Sequence, residues 1–477
     1  MPSQGTTPRR LTPVTTACFL LFFLAGCVIH DTPPALPLNP PVKFSATGQQ
    51  PLPDKWWHVF ADETLNNLIE RSLTGNFTLG IARARLEQAR AVAGKSGAEL
   101  LPAVSTEAAL ARSAQRFSET KESTFTTSSL GLAASYEIDL WGRLRANEFA
   151  ARLDLQAAHE DLQTAAVTLS AEVAITWYRF LEQQGQISLL RRQIVTNEKA
   201  LDLVSRQFGS GQVPATDVLQ QRQVLEGSRA ALIEADTDRL LLVHQLAVLS
   251  GDDPLSFCPP SGTEPAILPP LPAAGLPADL LRRRPDIRRA SFRLQAADQR
   301  IAAAIADRFP RISLTAGAET NGEPRQLFSN WLATVAGNLA APLLDGGRRA
   351  FEVERTRAVA DEALHNYGQT IIAAIREVED ALSIENQQRR LLENIESRLT
   401  LSRLVTKQTR ERYVHGAMEF LRFLTAQLNE QELERGYLRA RRELIEARIT
   451  LCRALAGGWE IDGNPPDHDH QAFRQHH

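Results

Sequence analysis

The sequence predicts a mixed α/β membrane protein: a transmembrane β-barrel to which each chain contributes four strands, joined to very long helices. Three observations carry this prediction. Four stretches alternate small apolar and polar side chains over about nine to thirteen residues, the period of a strand and the length a tilted strand needs to cross an outer membrane. Two regions, from Arg143 to Phe208 and from Arg348 to Tyr413, contain no proline and each hold one glycine, Gly185 or Gly368. The whole pattern then occurs twice at a spacing near 205 residues, which reads as an internal tandem duplication.

The N-terminus is read first as an address. Arg9 and Arg10 precede an apolar run from Ala17 to Leu24, which ends at Leu24-Ala25-Gly26-Cys27. A basic segment, an apolar segment and small residues form a secretory signal, and the cysteine makes the run resemble the lipobox of bacterial lipoproteins. Residues 1–26 are therefore expected to be removed, leaving Cys27 lipidated at the start of a tether over 27–55. Proline-rich composition between Asp31 and Pro53 suits such a tether. An ordinary signal peptide or membrane anchor with an incidental cysteine is the alternative, although the run is short of the roughly 20 residues that span a bilayer.

Composition narrows the partners. With 53 basic and 56 acidic residues the formal net charge is −3, which offers no general attraction for nucleic acid. No later stretch is apolar enough for a transmembrane helix, so any crossing must use a closed β-barrel. Besides Cys18 and Cys27 the chain holds Cys258 and Cys452. An exported protein could bond them, but the sequence cannot place them within range.

The repeat divides the rest. Leu101-Pro102-Ala103-Val104-Ser105 returns as Phe309-Pro310-Arg311-Ile312-Ser313, and Phe208-Gly209-Ser210-Gly211 as Tyr413-Val414-His415-Gly416. The first repeat occupies 56–253, the Pro-rich linker 254–277, the second repeat 278–457, and a flexible tail 458–477. Each repeat is expected to begin with a helix of about 35 residues, continue through a strand pair, and end in a long helical hairpin. The strand pairs are placed at about 102–112 with 128–141, and 311–320 with 331–343. In the first rod, Leu155, Leu162 and Leu169 at heptad spacing, then Val173, Trp177 and Leu181, predict packing along its length. At 1.5 Å per residue each rod is about 100 Å long.

The strands decide what the rods serve. Leu130, Leu132, Ala134, Tyr136, Ile138 and Leu140 alternate with Ser129, Gly131, Ala133, Ser135, Glu137 and Asp139. The other stretches share this pattern, as expected for apolar side chains facing lipid and polar ones facing a lumen. Four strands cannot close around a channel, whereas three chains supply twelve and leave no edge. The segments 113–127 and 320–330 are read as outward loops.

The text Leu280-Leu281-Arg282-Arg283-Arg284-Pro285-Asp286-Ile287, the lipobox, the paired strands and the paired rod turns together resemble the outer-membrane factors of tripartite efflux systems. Specifically, the chain resembles the lipoprotein subgroup associated with resistance-nodulation-division pumps. The resemblance covers essentially the whole mature chain. It implies a homotrimer in outer-membrane lipid, whose twelve-stranded barrel continues into a periplasmic α-helical barrel. It also implies a periplasmic membrane-fusion adaptor and a proton-driven inner-membrane pump as partners. The function implied is a passive, gated exit duct for small molecules.

By the same resemblance the rod turns form the periplasmic tip. Gly209, Gly211, Val213 and Asp217 in the first turn and Gly416, Ala417 and Met418 in the second are the expected adaptor-docking residues, with Asp217 capping the returning helix. Gate candidates are Tyr413, Glu419, Arg422, Phe423 and Thr425. Arg422 and Thr425 stand where related sequences present aspartates, so a purely acidic gate is not expected: an Arg422/Glu419 network supported by Tyr413 could hold the tip shut, and equally three Arg422 side chains around a threefold axis would repel unless paired.

No nucleophile, base and acid fall into a catalytic spacing, and no phosphate-binding glycine loop occurs. The protein is expected not to be an enzyme and to need no cofactor beyond lipid on Cys27. His468, His470, His476 and His477 read as a solvated tail rather than a metal site. Two other functions fit parts of the pattern: the outer component of a type I protein-secretion system, and a lipid-anchored periplasmic scaffold without a pore.

Overall fold

The structure, a computed structural model, describes residues 43–118, 121–260, 268–455 and Ile461. Cys27, the signal segment and the histidine tail lie outside the described residues. Contacts group the chain into two compact units, the first holding residues 88–157 and 290–367, the second residues 38–87, 158–289 and 368–477.

The first unit contains one antiparallel sheet of β1 (Ala103–Ser118), β2 (Lys121–Ile138), β3 (Arg311–Gly322) and β4 (Trp331–Ala340), hydrogen-bonded in that order. Its register sorts the side chains. Val104 pairs with Ala134, Ala134 with Ala316, and Ala316 with Val335. Directly paired residues share a face and alternate residues change face. One face therefore collects Val104, Leu110, Leu130, Leu132, Tyr136, Ile138, Ile312, Leu314, Val335 and Leu339. The other collects Ser105, Glu107, Ser129, Ser135, Glu137, Ser313, Glu319, Thr334 and Asn338. The apolar face is bare in the single chain: Val335 is 85% and Leu110 72% exposed.

The first hairpin is longer than the sequence suggests. Ser113 pairs with Phe125 and Gln115 with Ser123, so most of the 113–127 segment is strand rather than loop. Serine and threonine there mimic a loop composition, but threonine favours strands and the ladder satisfies the backbone.

Where strands meet helices, carboxylates and arginines make the joints. Asp139 accepts from the Leu144 and Arg145 backbone N–H groups at 3.1 and 2.9 Å, and Arg143 is bidentate to Glu137. Asp345 likewise accepts from the Gly347 and Arg349 N–H groups. Gly142, Gly346 and Gly347 turn the chain with φ of +78°, +64° and +84°, values that disfavour other residues. Trp141 stacks on Phe309 at 4.8 Å and donates to the Pro310 carbonyl at 2.7 Å. Asp307 joins Arg311 and Arg349; burial raises its carboxyl pKa, but these two partners outweigh burial and hold it below its ordinary value. A depressed carboxylate stabilises above the unfolded-state pKa, about 4, and loses that contribution as pH falls through the folded value. The wild type should therefore lose its urea-resistance advantage over Asp307→Asn only below about pH 4; a pH-independent difference would count against the ion triad.

The second unit packs around aromatic side chains. A 3-10 turn at Trp56–Phe60 leads into α1 (Glu63–Gly75), with Asp62 capping the helix through the Leu65 N–H at 3.0 Å. Trp177 donates to the other Asp62 oxygen at 2.8 Å, and Trp56 donates to Ser170 Oγ at 3.1 Å. The opening helix is not continuous. Asn76 ends α1 and caps α2 (Phe77–Ala98) by accepting from the Leu79 N–H, while its amide donates to the Leu249 carbonyl. The equivalent segment of the second half divides at Arg284-Pro285 into α5 (Pro277–Arg283) and α6 (Pro285–Ala306).

The rods are α3 (Arg143–Gly209) and α7 (Arg348–Val414), returning as α4 (Ala215–Ser250) and α8 (Phe420–Leu455). The chain after residue 42 is no free tether. Gly48 N–H donates to the Pro272 carbonyl, Ala273 N–H to Gln50, and Ser45 to Glu379, so this segment is sewn to the linker and to α7. Phe44 is buried there, which gives the segment an apolar anchor that its proline content conceals.

Both remaining cysteines are free. Burial pushes the Cys452 thiol up to about 12, whereas Cys258 is exposed. A maleimide should therefore modify Cys258 in the native protein and reach Cys452 only on unfolding; rapid native labelling of Cys452 would contradict the packing.

Candidate gate at the helical tips

Both rod turns end in the same backbone device. At the first, Gly211 N–H donates to Phe208 O and Gln212 N–H to Gln207 O, both at 2.9 Å. At the second, Gly416 N–H donates to Tyr413 O at 2.9 Å and Ala417 N–H to Arg412 O at 2.8 Å. These are Schellman pairs closed by a left-handed glycine, with φ of +79° at Gly211 and +70° at Gly416. Asp217 does not occupy the cap: Pro214 does, without a side-chain bond, and Asp217 is the third residue of α4. A carboxylate in the first turn still favours the helix dipole.

Gly209, Gly211, Gly416 and Ala417 are exposed, and Val213, Asp217 and Met418 half-buried. Behind them Tyr413, Phe420, Phe423, Leu424 and Val204 form a compact buried cluster, against which Val213 packs. Tyr413 stacks on Phe423 at 5.5 Å with rings 8° apart, and its hydroxyl donates to Gln207 Oε1 on α3. Burial, then the charge of Asp217, pushes its phenol above the ordinary value. The gate candidates thus divide. Tyr413 and Phe423 face the chain's own core and clasp one turn to the other. Glu419, Arg422 and Thr425 are exposed, and the Thr425 hydroxyl donates to the Leu421 carbonyl. The proposed Arg422/Glu419 pair is not formed in the single chain: among the described residues no ion pair joins them, and both side chains stand free in solvent.

One group of residues was missed by the sequence reading. Above the clasp, Asn197 is fully buried; its amide donates to Ser228 at 2.8 Å and its carbonyl oxygen accepts from Gln427 and from Gln431, the latter at 2.9 Å. Gln221 donates to the Asn197 backbone, Gln193 to Gln431 O and Glu434, and Gln186 to Arg435 O. This ladder joins α3 to α4 and α8. Its signal was present: Gln186 and Gln193, or Gln221 and Ser228, repeat at the seven-residue spacing of core positions. A groove of about 770 Å³ opens beside it between α3, α7 and α8, flanked by Arg192, Lys199, Lys407, Arg410 and the carboxylates Glu411 and Glu430.

The Arg-rich text after the linker has a structural task. Arg284 is buried and binds Asp286 at 2.6 Å, Glu377 at 2.9 Å and the Ala454 carbonyl at 3.2 Å. Burial lowers the Arg284 pKa, but its two carboxylate partners more than offset that and leave it raised. Arg288 pairs with Glu160 and Arg289 with Asp161, so the segment ties α6 to α3.

Among the described residues no cluster of His, Cys, Asp or Glu could hold a metal ion, and no helix is long and apolar enough to cross a membrane. A comparison with protein families matches residues 68–252 and 276–457 to the outer membrane efflux protein family. The chain is 32% identical over 458 residues to the pyoverdine export outer membrane protein OpmQ of Pseudomonas putida, covering 90% of this chain and 94% of that one. It is 30% identical over 416 residues to the outer membrane protein OprJ of Pseudomonas aeruginosa, covering 85% and 86%. Among solved structures, the outer-membrane channel OprN superposes with a TM-score of 0.81 at 28% identity, covering 89% of this chain and 98% of that one. The open state of the Neisseria gonorrhoeae MtrE outer membrane channel gives 0.80 at 25% identity, covering 91% and 98%. With its bare apolar sheet face, its rods and its clasped tips, this chain belongs to the outer membrane efflux protein family.

Proposed function

We propose that three copies of the chain close their sheets into a twelve-stranded barrel and extend it into a periplasmic helical barrel, forming a passive gated duct that carries small molecules out of the cell. The observation that carries this reading is the register of the sheet. All four apolar strand faces lie on one side, and β1 and β4 both end as open edges. An exposed, long, apolar edge strand invites pairing with another copy, and closure removes every edge while turning the glutamate-bearing face to a wet lumen.

The two halves support an origin by tandem duplication. α2 and α6 have 22 residues each, α3 and α7 have 67, and α4 and α8 have 36. The rod turns form the tip that meets a membrane-fusion adaptor, and an inner-membrane pump of the resistance-nodulation-division class supplies the energy. Lipid on Cys27 anchors the N-terminus. Glu419, just before α8, and Arg422 and Thr425 near its start, all exposed, line the constriction where three copies converge, and Tyr413 and Phe423 hold that helix start in place from behind. Three Arg422 side chains around a threefold axis repel unless each meets a carboxylate, and Glu419 of a neighbouring copy is the candidate partner.

The test is single-channel conductance of the purified protein in planar bilayers, with its oligomeric mass measured on the same sample. A conducting trimer is expected; a monomer that never inserts would sink the duct. Arg422→Ala should alter resting conductance, and an unchanged current would remove that residue from the gate.

A further inference from the structure

We infer that the outward end of the lipid-facing sheet surface is a docking site for phosphorylated glycolipid headgroups, with Arg112 as its main contact and Arg325 as a second. This inference rests on the barrel reading above, because it needs the apolar sheet face to meet lipid.

The register places the cation. Along β1, Val104, Thr106, Ala108, Leu110 and Arg112 share the apolar face, and Arg112 pairs across to Thr126 of β2. Two rows below it, Ala108, Leu130, Thr320 and Trp331 lie side by side, with Trp331 77% exposed. An indole at that level marks a membrane–water boundary. From the Ile138 row to the Leu130 row is about 27 Å along the strand, or about 20 Å along the membrane normal at a tilt of about 40°. The Arg112 row lies about 40 Å along the strand from Ile138 and about 30 Å along the normal, just beyond an apolar band of about 25 Å. A lipid-facing arginine costs roughly 2–4 kcal/mol at mid-membrane but almost nothing at the interface, so this level is where the residue can be kept.

Its surroundings favour an anion from outside the protein. Arg112 is exposed and forms no ion pair among the described residues. Arg325, in the short turn Pro324–Gln326 at the same end of the sheet, is also exposed without one, beside the exposed Phe328 and one carboxylate, Glu323. At the helix-side end the pattern differs. Arg143, Arg145, Arg311 and Arg349 each meet a carboxylate, while among the described residues no ion pair joins Arg308 or Arg348 to one. Guanidinium groups bind phosphate through paired N–H donors. Phosphates packed on sugar headgroups at the outer surface supply that partner at the level of Arg112, next to the acyl chains that cover Leu110 and Trp331.

The full-length trimer tests this in detergent micelles doped with purified lipopolysaccharide or, separately, with phosphatidylglycerol. The readouts are the temperature of trimer dissociation and the lipid retained on native mass spectrometry. Lipopolysaccharide should raise the dissociation temperature of the wild type, and Arg112→Gln with Arg325→Gln should lose roughly half or more of that gain. An equal gain in the variant overturns the proposal, and so does an equal, arginine-dependent response to phosphatidylglycerol, which would reassign the site to phospholipid. Retained lipid on the wild type needs no variant to fold, and a wild-type trimer that retains no lipopolysaccharide also overturns it. A conducting trimer that fails these tests defeats this inference alone; a chain that neither trimerises nor conducts defeats the barrel reading beneath it.

Discussion

Replacing Glu385 by alanine is expected to destabilise the protein by about 3–5 kcal/mol, the usual cost of stranding one partner of a buried ion pair. Glu385 on α7 and Arg448 on α8 are 2% and 1% exposed. Two bonds of 2.6 and 2.8 Å join them, and Arg448 also donates to the carbonyls of Pro269 and Pro270, the latter at 2.7 Å. Removing Glu385 leaves the guanidinium facing only carbonyl dipoles. Removing Arg448 leaves Glu385 with a second partner, Arg389, at 2.8 Å. Arg448→Met should therefore cost less than Glu385→Ala, and its main symptom should be a loosened linker, seen as faster proteolysis around residues 268–272. Thermal denaturation of both variants checks the order; equal and small shifts would mean that the pair is not buried in the assembled protein.

The second large effect belongs to the tip. Tyr413→Ala deletes the ring that joins Phe420, Phe423 and Val204, and emptying such a site costs about 3–5 kcal/mol. That loss is local to the clasp between the two turns, so resting conductance should rise while the barrel and the remote rods stay folded. Tyr413→Phe keeps the stack on Phe423 and removes only the bond to Gln207, a loss of about 1–2 kcal/mol. The expected conductances rank alanine above phenylalanine above wild type. If alanine and wild type conduct alike, the cluster does not hold the gate.

The clasp also shows how far the sequence could be read. Gly211 and Gly416 were legible as turn residues, since a tight helix reversal calls for positive φ wherever it lies. The i,i+3 spacing of Glu419 and Arg422 predicts one shared helical face, yet α8 begins only at Phe420, so Glu419 stands just before the helix and the two do not pair. Spacing fixes which side chains can meet but says nothing of solvent, which offers each charge as good a partner in a single chain. Tyr413 was read as support for that pair, yet its ring turns inward because burying an aromatic surface outweighs a contact at the rim.

Local rules determined the period of the strands, the span of the rods and the two turns, because they depend on residues within a few positions of one another. The expectation of lipid on Cys27 likewise rests on a linear signal alone. Only the tertiary structure decided that Ser113–Ser118 continue a strand, that residues 43–52 are sewn to the linker, that Asn197 and the glutamines around it form a buried ladder, and that the run of arginines after the linker clamps three helices. Each of these depends on partners more than 100 residues away or on a cross-strand ladder. Although the seven-residue spacing of Gln186 with Gln193 and of Gln221 with Ser228 marks core positions, the partners that satisfy their buried amides lie on other helices and are set only by packing.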